Sequence, residues 1–144
     1  MMPGTIAREI LLHASPGEVW EALTNGRRVS EWFGAEVEMT ARLGGRVRFR
    51  FPDGRERGAV IEAFDTERLL VLRWMPFETD ARGRTRTRPS TKVRFTLGLR
   101  DDCTLLSVQE TLPLESRQGP SPDDALDLGE LGTAGLRPRA RAAR

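Results

Sequence analysis

The sequence predicts an α+β domain in which two short helices near the N-terminus precede an antiparallel sheet. Three observations support this class. A helix start signal follows the first strand-like segment, apolar residues recur at every second position after residue 33, and turn-forming residues separate the alternating segments. A chain of 144 residues fits one domain. Because short turns join the strands, neighbouring strands are expected to run antiparallel.

The first elements are a strand over residues 5–13 and a helix that begins just after it. Ser15 is expected to cap this helix, a proline follows it, and Glu18 completes a capping box. The Asn-Gly pair at residues 25–26 is expected to end the helix, and a second short helix is predicted over residues 28–33. The side chains expected to face inward are Val19, Trp20, Leu23, Val29, Trp32 and Phe33.

The rest of the domain is predicted to form strands. Residues 46–51 alternate arginine with valine or phenylalanine, which is typical of a half-buried antiparallel strand. The turn after this strand contains Gly54, which accepts a positive φ without steric cost. The strands predicted after the helices cover residues 36–39, 46–51, 58–64, 68–74, 91–99 and 104–111.

Two segments depart from this pattern. Arginine occupies alternate positions within residues 78–88, at 82, 84, 86 and 88, which is typical of a solvated hairpin tip or, alternatively, of a patch for an anionic ligand or surface. From Ser116 the composition shifts to glycine, proline, alanine and arginine. The sequence therefore predicts a domain over residues 1–115 and a poorly ordered, low-complexity tail over residues 116–144.

Taken together, these residues resemble the SRPBCC (START-like) superfamily, and within it the bacterial homologues of the activator of the heat-shock-protein-90 ATPase. The resemblance covers about Ile6 to Thr111. It rests on residues 8–10, 14–24 and 31–34, Gly44-Gly45, Gly54, Gly58, Arg68-Leu69, Trp74, and residues 91–97 and 104–106. It implies a helix-grip fold, in which a curved antiparallel sheet of about six to seven strands grips a long C-terminal helix around a cavity.

Three departures from the family pattern stand out. Cys103 occupies a position where the family usually has glycine, so a turn that needs a positive φ there would be strained. Thr66 replaces the usual proline of an earlier turn. The leucines expected in the C-terminal helix are reduced to Leu126, Leu128 and Leu131, with glycines between them. We therefore expect this helix to be degraded or absent.

A change of reading frame would account for that loss. Read one base later, codons for residues 130–137 can encode a serine and a tryptophan followed by leucine and phenylalanine, which restores the missing pattern. The hypothesis is that the tail is read in a shifted frame, through a mutation or a reading error. A sheet without its helix would leave an apolar face exposed, and such a domain is expected to aggregate or to form a homodimer.

The resemblance implies a cavity that binds apolar molecules, such as the lipids, hormones and polyketides bound elsewhere in the superfamily. Large side chains could form its walls, and Glu62 and Arg73 could orient a ligand. The alternative is that the large side chains fill the core while Glu62 and Arg73 face solvent. The cavity candidates are Trp32, Phe33, Phe49, Glu62, Arg73, Trp74, Met75 and Phe95.

Composition argues against several other functions. One cysteine and one histidine are too few for a Cys/His metal site, and neither Cys103 nor His13 has a catalytic partner placed by the sequence, so we assign no catalytic residue, metal or cofactor. A net charge of +2 does not indicate nucleic-acid binding. No segment is apolar enough to cross a membrane or to act as a signal peptide, so we expect a cytoplasmic location without membrane insertion.

The leading functional hypothesis is therefore a protein that binds a small apolar or amphipathic ligand without catalysis. The resemblance leaves two alternatives open. One is an enzyme of the polyketide-cyclase kind, since a few members of the superfamily catalyse cyclisation or hydrolysis in the cavity. The other is a co-chaperone-like domain that binds another protein, although a shared fold does not carry over a partner surface.

Overall fold

A computed structural model describes residues 5–111 of the chain. In chain order the elements are β1 (Thr5–Leu12), α1 (Pro16–Thr24), α2 (Gly26–Phe33), β2 (Glu36–Met39), β3 (Arg46–Arg50), β4 (Glu56–Asp65), β5 (Leu69–Thr79), β6 (Thr85–Thr87), β7 (Lys92–Arg100) and β8 (Cys103–Thr111). The predicted domain boundary, the low-complexity tail, the frame-shift hypothesis and the fate of the C-terminal helix all concern residues outside this described part.

All strand pairs are antiparallel and belong to one sheet. Seven strands follow one another in the order β1-β8-β7-β5-β4-β3-β2, and β6 pairs with β5 beside this path. The β4–β5 ladder changes register between Arg57 and Ala59 and again between Ile61 and Ala63. Such bulges bend a sheet, and this one curls into a half-barrel with both helices on its concave face. The predicted helix-grip class is confirmed for the two helices and the curved sheet.

The helix starts follow from their capping residues. The Ser15 hydroxyl accepts a hydrogen bond from the Glu18 amide at 3.2 Å, and the Glu18 carboxylate accepts one from the Ser15 amide at 2.8 Å, so the predicted capping box is present. Helix α2 begins at Gly26, earlier than predicted. Asn25 ends α1 and also caps α2, because its Oδ1 accepts hydrogen bonds from the amides of Arg27 and Arg28.

The core lies between the two helices and the concave face. Trp20 packs edge-on against Phe64 with ring centroids 5.2 Å apart. On α2, the Trp32 indole donates a hydrogen bond to the carbonyl of Ala22 at 2.9 Å. Phe33 meets Phe49 of β3 at 4.9 Å between ring centroids. Every residue expected to face inward from the helices is buried.

One turn and one strand differ from expectation. The strain anticipated at Cys103 does not arise, because the positive φ angles of that turn fall on Asp101 (49°) and Asp102 (67°), while Cys103 is the buried first residue of β8. Strand β5 continues past the predicted end at Trp74 to Thr79, where it forms a hairpin with β6. The arginine-rich segment over residues 78–88 therefore forms the end of a paired β-hairpin.

Candidate functional site

The concave face has two ends that differ in chemistry. We call the part packed beneath α1 and α2 the covered end. The polar end is the group of buried polar side chains at the opposite end of the same strands, consisting of Arg57 on β4, Trp74 and Glu78 on β5, Thr91 just before β7, and Glu110 on β8. The four residues within strands alternate in step with buried apolar neighbours, which places them on the concave face. Thr91 lies two residues before the inward-facing Val93 and is also buried.

The covered end gathers four of the predicted cavity residues. Trp32, Phe33, Phe49 and Phe95 surround a void of about 10 Å³, together with apolar side chains of α1, α2, β2 and β5. A void of that size holds about one water molecule. In the structure these four side chains therefore pack as core, and their contact with a ligand stays a prediction.

Three other predicted residues lie on the outer face of the sheet. Because Leu72 and Trp74 face inward on β5, the alternating Arg73 and Met75 point outward. Arg73 Nε lies 2.5 Å from a carboxylate oxygen of Glu62, and Lys92 Nζ lies 3.3 Å from the other. The hydrogen bond from Arg73 lowers the pKa of Glu62 below its ordinary value. The structure thus separates Glu62, Arg73 and Met75 from the concave face, where Trp74 lies.

Trp74 and Arg57 form the centre of the polar end. The Arg57 guanidinium lies 4.9 Å from the centroid of the Trp74 ring, a cation–π contact. Two main-chain carbonyls hold the same guanidinium: Arg57 Nη2 donates to Met75 O at 2.9 Å and to Pro89 O at 2.6 Å. These contacts fix the position of the Arg57 side chain, which is almost fully buried.

Glu78 lies directly across the β4–β5 ladder from Arg57 and is only 2% exposed. Three further guanidinium groups approach its carboxylate. Arg88 Nη1 lies 3.2 Å from Oε1, while Arg55 Nη1 and Arg86 Nη2 lie 3.5 and 3.6 Å from Oε2. A buried carboxylate needs such counter-charges, because desolvation of an isolated charge is very costly.

Thr91 and Glu110 complete the polar end. The Thr91 hydroxyl lies 2.5 Å from Oε2 of Glu110, and both side chains are buried. The carbonyl of Thr91 accepts a hydrogen bond from the Trp74 amide at 3.0 Å, which places Thr91 beside the centre of the site. A hydrogen bond to a carboxylate is stronger than one between neutral groups, so this pair fixes the position of Glu110.

Two buried atoms of the polar end have no hydrogen-bond partner: the indole Nε1 of Trp74 and Oε2 of Glu78. Buried polar atoms are almost always hydrogen-bonded, because an unmade bond costs about 1–3 kcal/mol. The indole donor of Trp74 is therefore available to a ligand or to water, whereas Glu78 Oε2 is held by ion pairs with Arg55 and Arg86.

Sequence reasoning identified Trp74 but missed the other four residues of the polar end. For Glu110 a usable signal exists, because Leu106 and Val108 precede it at the same parity and the next inward position carries a charge. Arg57 likewise shares its parity with Ala59 and Ile61. Glu78 could not be placed this way, because the predicted strand ended at Trp74.

Residues 5–111 contain no group of three or more His, Cys, Asp or Glu side chains arranged to hold a metal ion. Within the same range no helix is long and apolar enough to span a membrane. The charged groups of the polar end can instead bind charge, donate hydrogen bonds and accept them. That chemistry suits the recognition of a polar group on an otherwise apolar molecule.

Comparison with known proteins relates this architecture to one family. The sequence profile described as "Activator of Hsp90 ATPase homolog 1-like protein" matches residues 13–125, which is most of the chain. No curated protein sequence matches the chain significantly.

Solved structures share the fold at low sequence identity. DynU16, a protein of the dynemicin biosynthetic locus, matches with a TM-score of 0.64 and 24% identity over 78% of this chain and 39% of its own. CalU16 from Micromonospora echinospora matches with a TM-score of 0.56 and 23% identity, over 77% of this chain and 62% of its own. The Aha1 dimer from Colwellia psychrerythraea matches with a TM-score of 0.63 and 18% identity, over 81% of this chain and 80% of its own. The chain thus spans less than two thirds of DynU16 and of CalU16.

Proposed function

We propose that this chain, which belongs to the Activator of Hsp90 ATPase homolog 1-like family, binds a small apolar or amphipathic molecule against the concave face of its sheet. The observation that carries the proposal is the group of buried polar side chains at one end of the apolar concave face, in which the indole Nε1 of Trp74 has no hydrogen-bond partner. Ligand sites of small molecules have this composition: apolar walls and a few fixed polar groups.

The fold supports the same proposal. The superfamily that the sequence resembles binds apolar ligands between its sheet and its helices, and DynU16 shares this fold and comes from a biosynthetic locus. The ligand would lie along the concave face with Trp74 at its polar end. Trp32, Phe33, Phe49 and Phe95 would then close the covered end of the site rather than line an open cavity.

A cyclase-like enzyme is the second candidate function. The observation in its favour is that Glu78 and Glu110 are both buried at the polar end, where carboxyl groups next to a bound ligand could transfer protons. Binding without turnover remains the first candidate, since the described contacts of both carboxylates are with arginines or with a hydroxyl that hold them in place.

Native mass spectrometry of protein purified from its own host tests the proposed function. We expect a bound small molecule that denaturation releases. Trp74→Phe keeps an aromatic ring at the site but removes the unpartnered Nε1–H, so it should retain less of the molecule. Leu43→Ala, at an exposed side chain between β2 and β3, is the control and should retain as much as the wild type. A wild-type protein that carries nothing and binds no apolar dye saturably would overturn the proposal.

Two copies of the chain are also proposed to associate in the cytoplasm. The named Colwellia psychrerythraea structure is a dimer of a protein with the same fold, which supports this arrangement. Light scattering coupled to gel filtration should give a mass near twice 16.1 kDa. A monomer mass across the accessible concentration range would contradict it.

A further inference from the structure

The outer face of the sheet has a recess over strands β3, β4 and β5, which we call the outer groove. Its volume is about 230 Å³, and its floor consists of outward-facing side chains of β4 and β5, among them Val60, Met75 and Phe77. Gly58 creates part of the space, because a Cβ atom there would lie 3.4 Å from Cγ of Met75. Since a water molecule occupies about 30 Å³, the outer groove has room for an aliphatic side chain.

The floor of the outer groove is apolar and lies open. Phe77 is 43% exposed and Met75 is partly exposed, so residues 5–111 leave this surface uncovered. Contiguous apolar surface that is bordered by charged groups is typical of a site that binds another segment of protein. The outer groove is thus a candidate docking surface, separate from the concave face.

A row of basic side chains crosses the outer face to this groove. Strand pairing places five residues side by side on β3, β4, β5, β7 and β8: Arg46, Val60, Arg73, Lys92 and Thr111. Directly paired residues of antiparallel strands point to the same face of the sheet. Because Arg73 points outward, the basic row formed by Arg46, Arg73 and Lys92 lies on the outer face.

The charge of the basic row is not balanced within the part of the chain that the structure describes. Arg73 and Lys92 share one carboxylate, that of Glu62. Arg46 forms no ion pair with any residue from 5 to 111. The other charged side chains at the outer groove are paired at 3.2 Å, Arg48 with Glu38 and Glu56 with Arg50. Three cations thus accompany one carboxylate, which favours an acidic partner.

A segment with suitable chemistry occurs later in the same chain. Residues 123–131 have the sequence Asp-Asp-Ala-Leu-Asp-Leu-Gly-Glu-Leu, which contains four acidic residues, three leucines and no basic residue. Residues 137–144 are the opposite, with four arginines and no acidic residue. Residues 123–131 therefore combine the negative charge that the basic row favours with aliphatic side chains for the apolar floor.

The place where the described part ends allows this segment to reach the outer groove. Thr111, at the end of β8, belongs to the same row as Val60. Adjacent strands lie about 4.8 Å apart, so Thr111 is roughly 14 Å from Val60, three strands away. Residues 112–122 span up to about 36 Å when extended, at about 3.3 Å each. The connection is therefore long enough.

We propose that residues 123–131 bind in the outer groove of their own chain, with a leucine side chain against Met75 and Phe77 and with their carboxylates along the basic row. Arg46 gains an ion pair in this arrangement, and the excess charge at Arg73 and Lys92 attracts the segment from the side where β8 ends. The inference concerns the outer face and does not depend on the proposed ligand site on the concave face.

Photo-cross-linking in the full chain tests this inference. The photoreactive residue p-benzoylphenylalanine replaces leucine at position 128 and forms a covalent bond to a neighbouring side chain on irradiation. Mass spectrometry of the digested protein then identifies the partner. We expect cross-links to Met75 or Phe77 within one chain. Added salt should lower their yield, because the basic row is exposed to solvent.

Two pairs of variants show whether the groove itself is responsible. Arg46→Gln should lower the yield about threefold, the effect of one exposed ion pair, whereas Arg42→Gln removes the same charge from an exposed position outside the groove and should leave the yield unchanged. Phe77→Ser should also lower the yield, and Leu99→Ser, at another exposed apolar side chain, should not. If Phe77→Ser loses its far-UV circular dichroism, the pair at positions 46 and 42 decides.

Three results would overturn the inference. They are cross-links to the concave face, the absence of any cross-link, and a yield that Arg46→Gln and Phe77→Ser leave unchanged. A mixture of isotopically labelled and unlabelled chains detects cross-links between two copies, and cross-links of that kind alone would also overturn it. The proposed function would stand in each case, since ligand retention by Trp74→Phe tests it separately.

Discussion

The covered end and the polar end of the concave face differ in packing and in the polarity of their buried side chains. The covered end is closely packed with aromatic and aliphatic side chains around a void of about 10 Å³, and the buried indole Nε1 of Trp32 donates a hydrogen bond to the carbonyl of Ala22. The polar end buries Arg57, Glu78 and Glu110 and leaves Trp74 Nε1 without an acceptor. The same strands therefore pass from a region arranged for stability to one that holds unmet polar groups.

The difference assigns separate roles to the two ends. Close packing stabilises the fold, and each buried methylene removed from it destabilises the protein. Buried polar atoms without partners cost stability, and proteins generally retain such features where function uses them. Substitutions at the covered end should consequently change mainly the free energy of unfolding. Substitutions at the polar end should also change the affinity for a ligand, beyond what the loss of folded protein would cause.

The largest effect is expected at the covered end. Trp20 is buried and packs against Phe64, so Trp20→Ala should lower the free energy of unfolding by about 3–5 kcal/mol. Leu99→Ala is the control, since that side chain is exposed and its loss should cost less than about 0.5 kcal/mol. Urea titrations of both variants measure the two values. A loss of less than about 1 kcal/mol for Trp20→Ala would contradict the packing of α1 on the sheet.

An intermediate effect on stability is expected at the polar end. Glu78→Gln preserves shape but removes the charge that three arginines surround, so stability should fall by about 1–3 kcal/mol. Urea titrations of the wild type and the variant measure this difference. A loss of less than about 0.5 kcal/mol would contradict the assignment of the Glu78 charge as the centre of these ion pairs.

How far the sequence predicts this arrangement depends on the range of the interactions involved. The capping box at Ser15 and Glu18 and the alternating strand β3 are encoded locally, and both were predicted correctly. The start of α2 was misplaced because Asn25 ends one helix and caps the next. That double use is visible only once both helices have been placed.

The polar end was largely missed because it depends on pairing between distant segments. Glu78 becomes an inward-facing residue only when β5 runs past Pro76, which the sequence argues against because proline disrupts regular strands. A bulge between Arg57 and Ala59 then brings Arg57 opposite Glu78. No local pattern encodes that register. From the sequence alone, residues 78–88 could therefore be interpreted either as a solvated hairpin tip or as a patch for an anion.

The smallest effect is expected on the outer face, which offers a third environment for comparison. Glu62 pairs there with Arg73 and Lys92, and its side chain is partly exposed, so Glu62→Gln should cost only about 0.2–1 kcal/mol. Its saturable binding of an apolar dye should equal that of the wild type. A change in dye affinity would instead place Glu62 in the ligand site, as one of the two sequence interpretations has it.

The pH dependence of that small effect has a definite sign. Hydrogen bonding from Arg73 lowers the pKa of Glu62 in the folded state, so folding favours the ionised carboxylate. Its contribution is therefore fully present above the pKa of an unfolded glutamate, about 4.3, and is lost as the pH falls through the lower folded value. The difference in unfolding free energy between wild type and Glu62→Gln should be largest near pH 7 and should vanish in acid. If this difference in unfolding free energy grew as the pH fell, the folded state would be stabilised by the neutral carboxyl of Glu62 and not by its ion pair with Arg73.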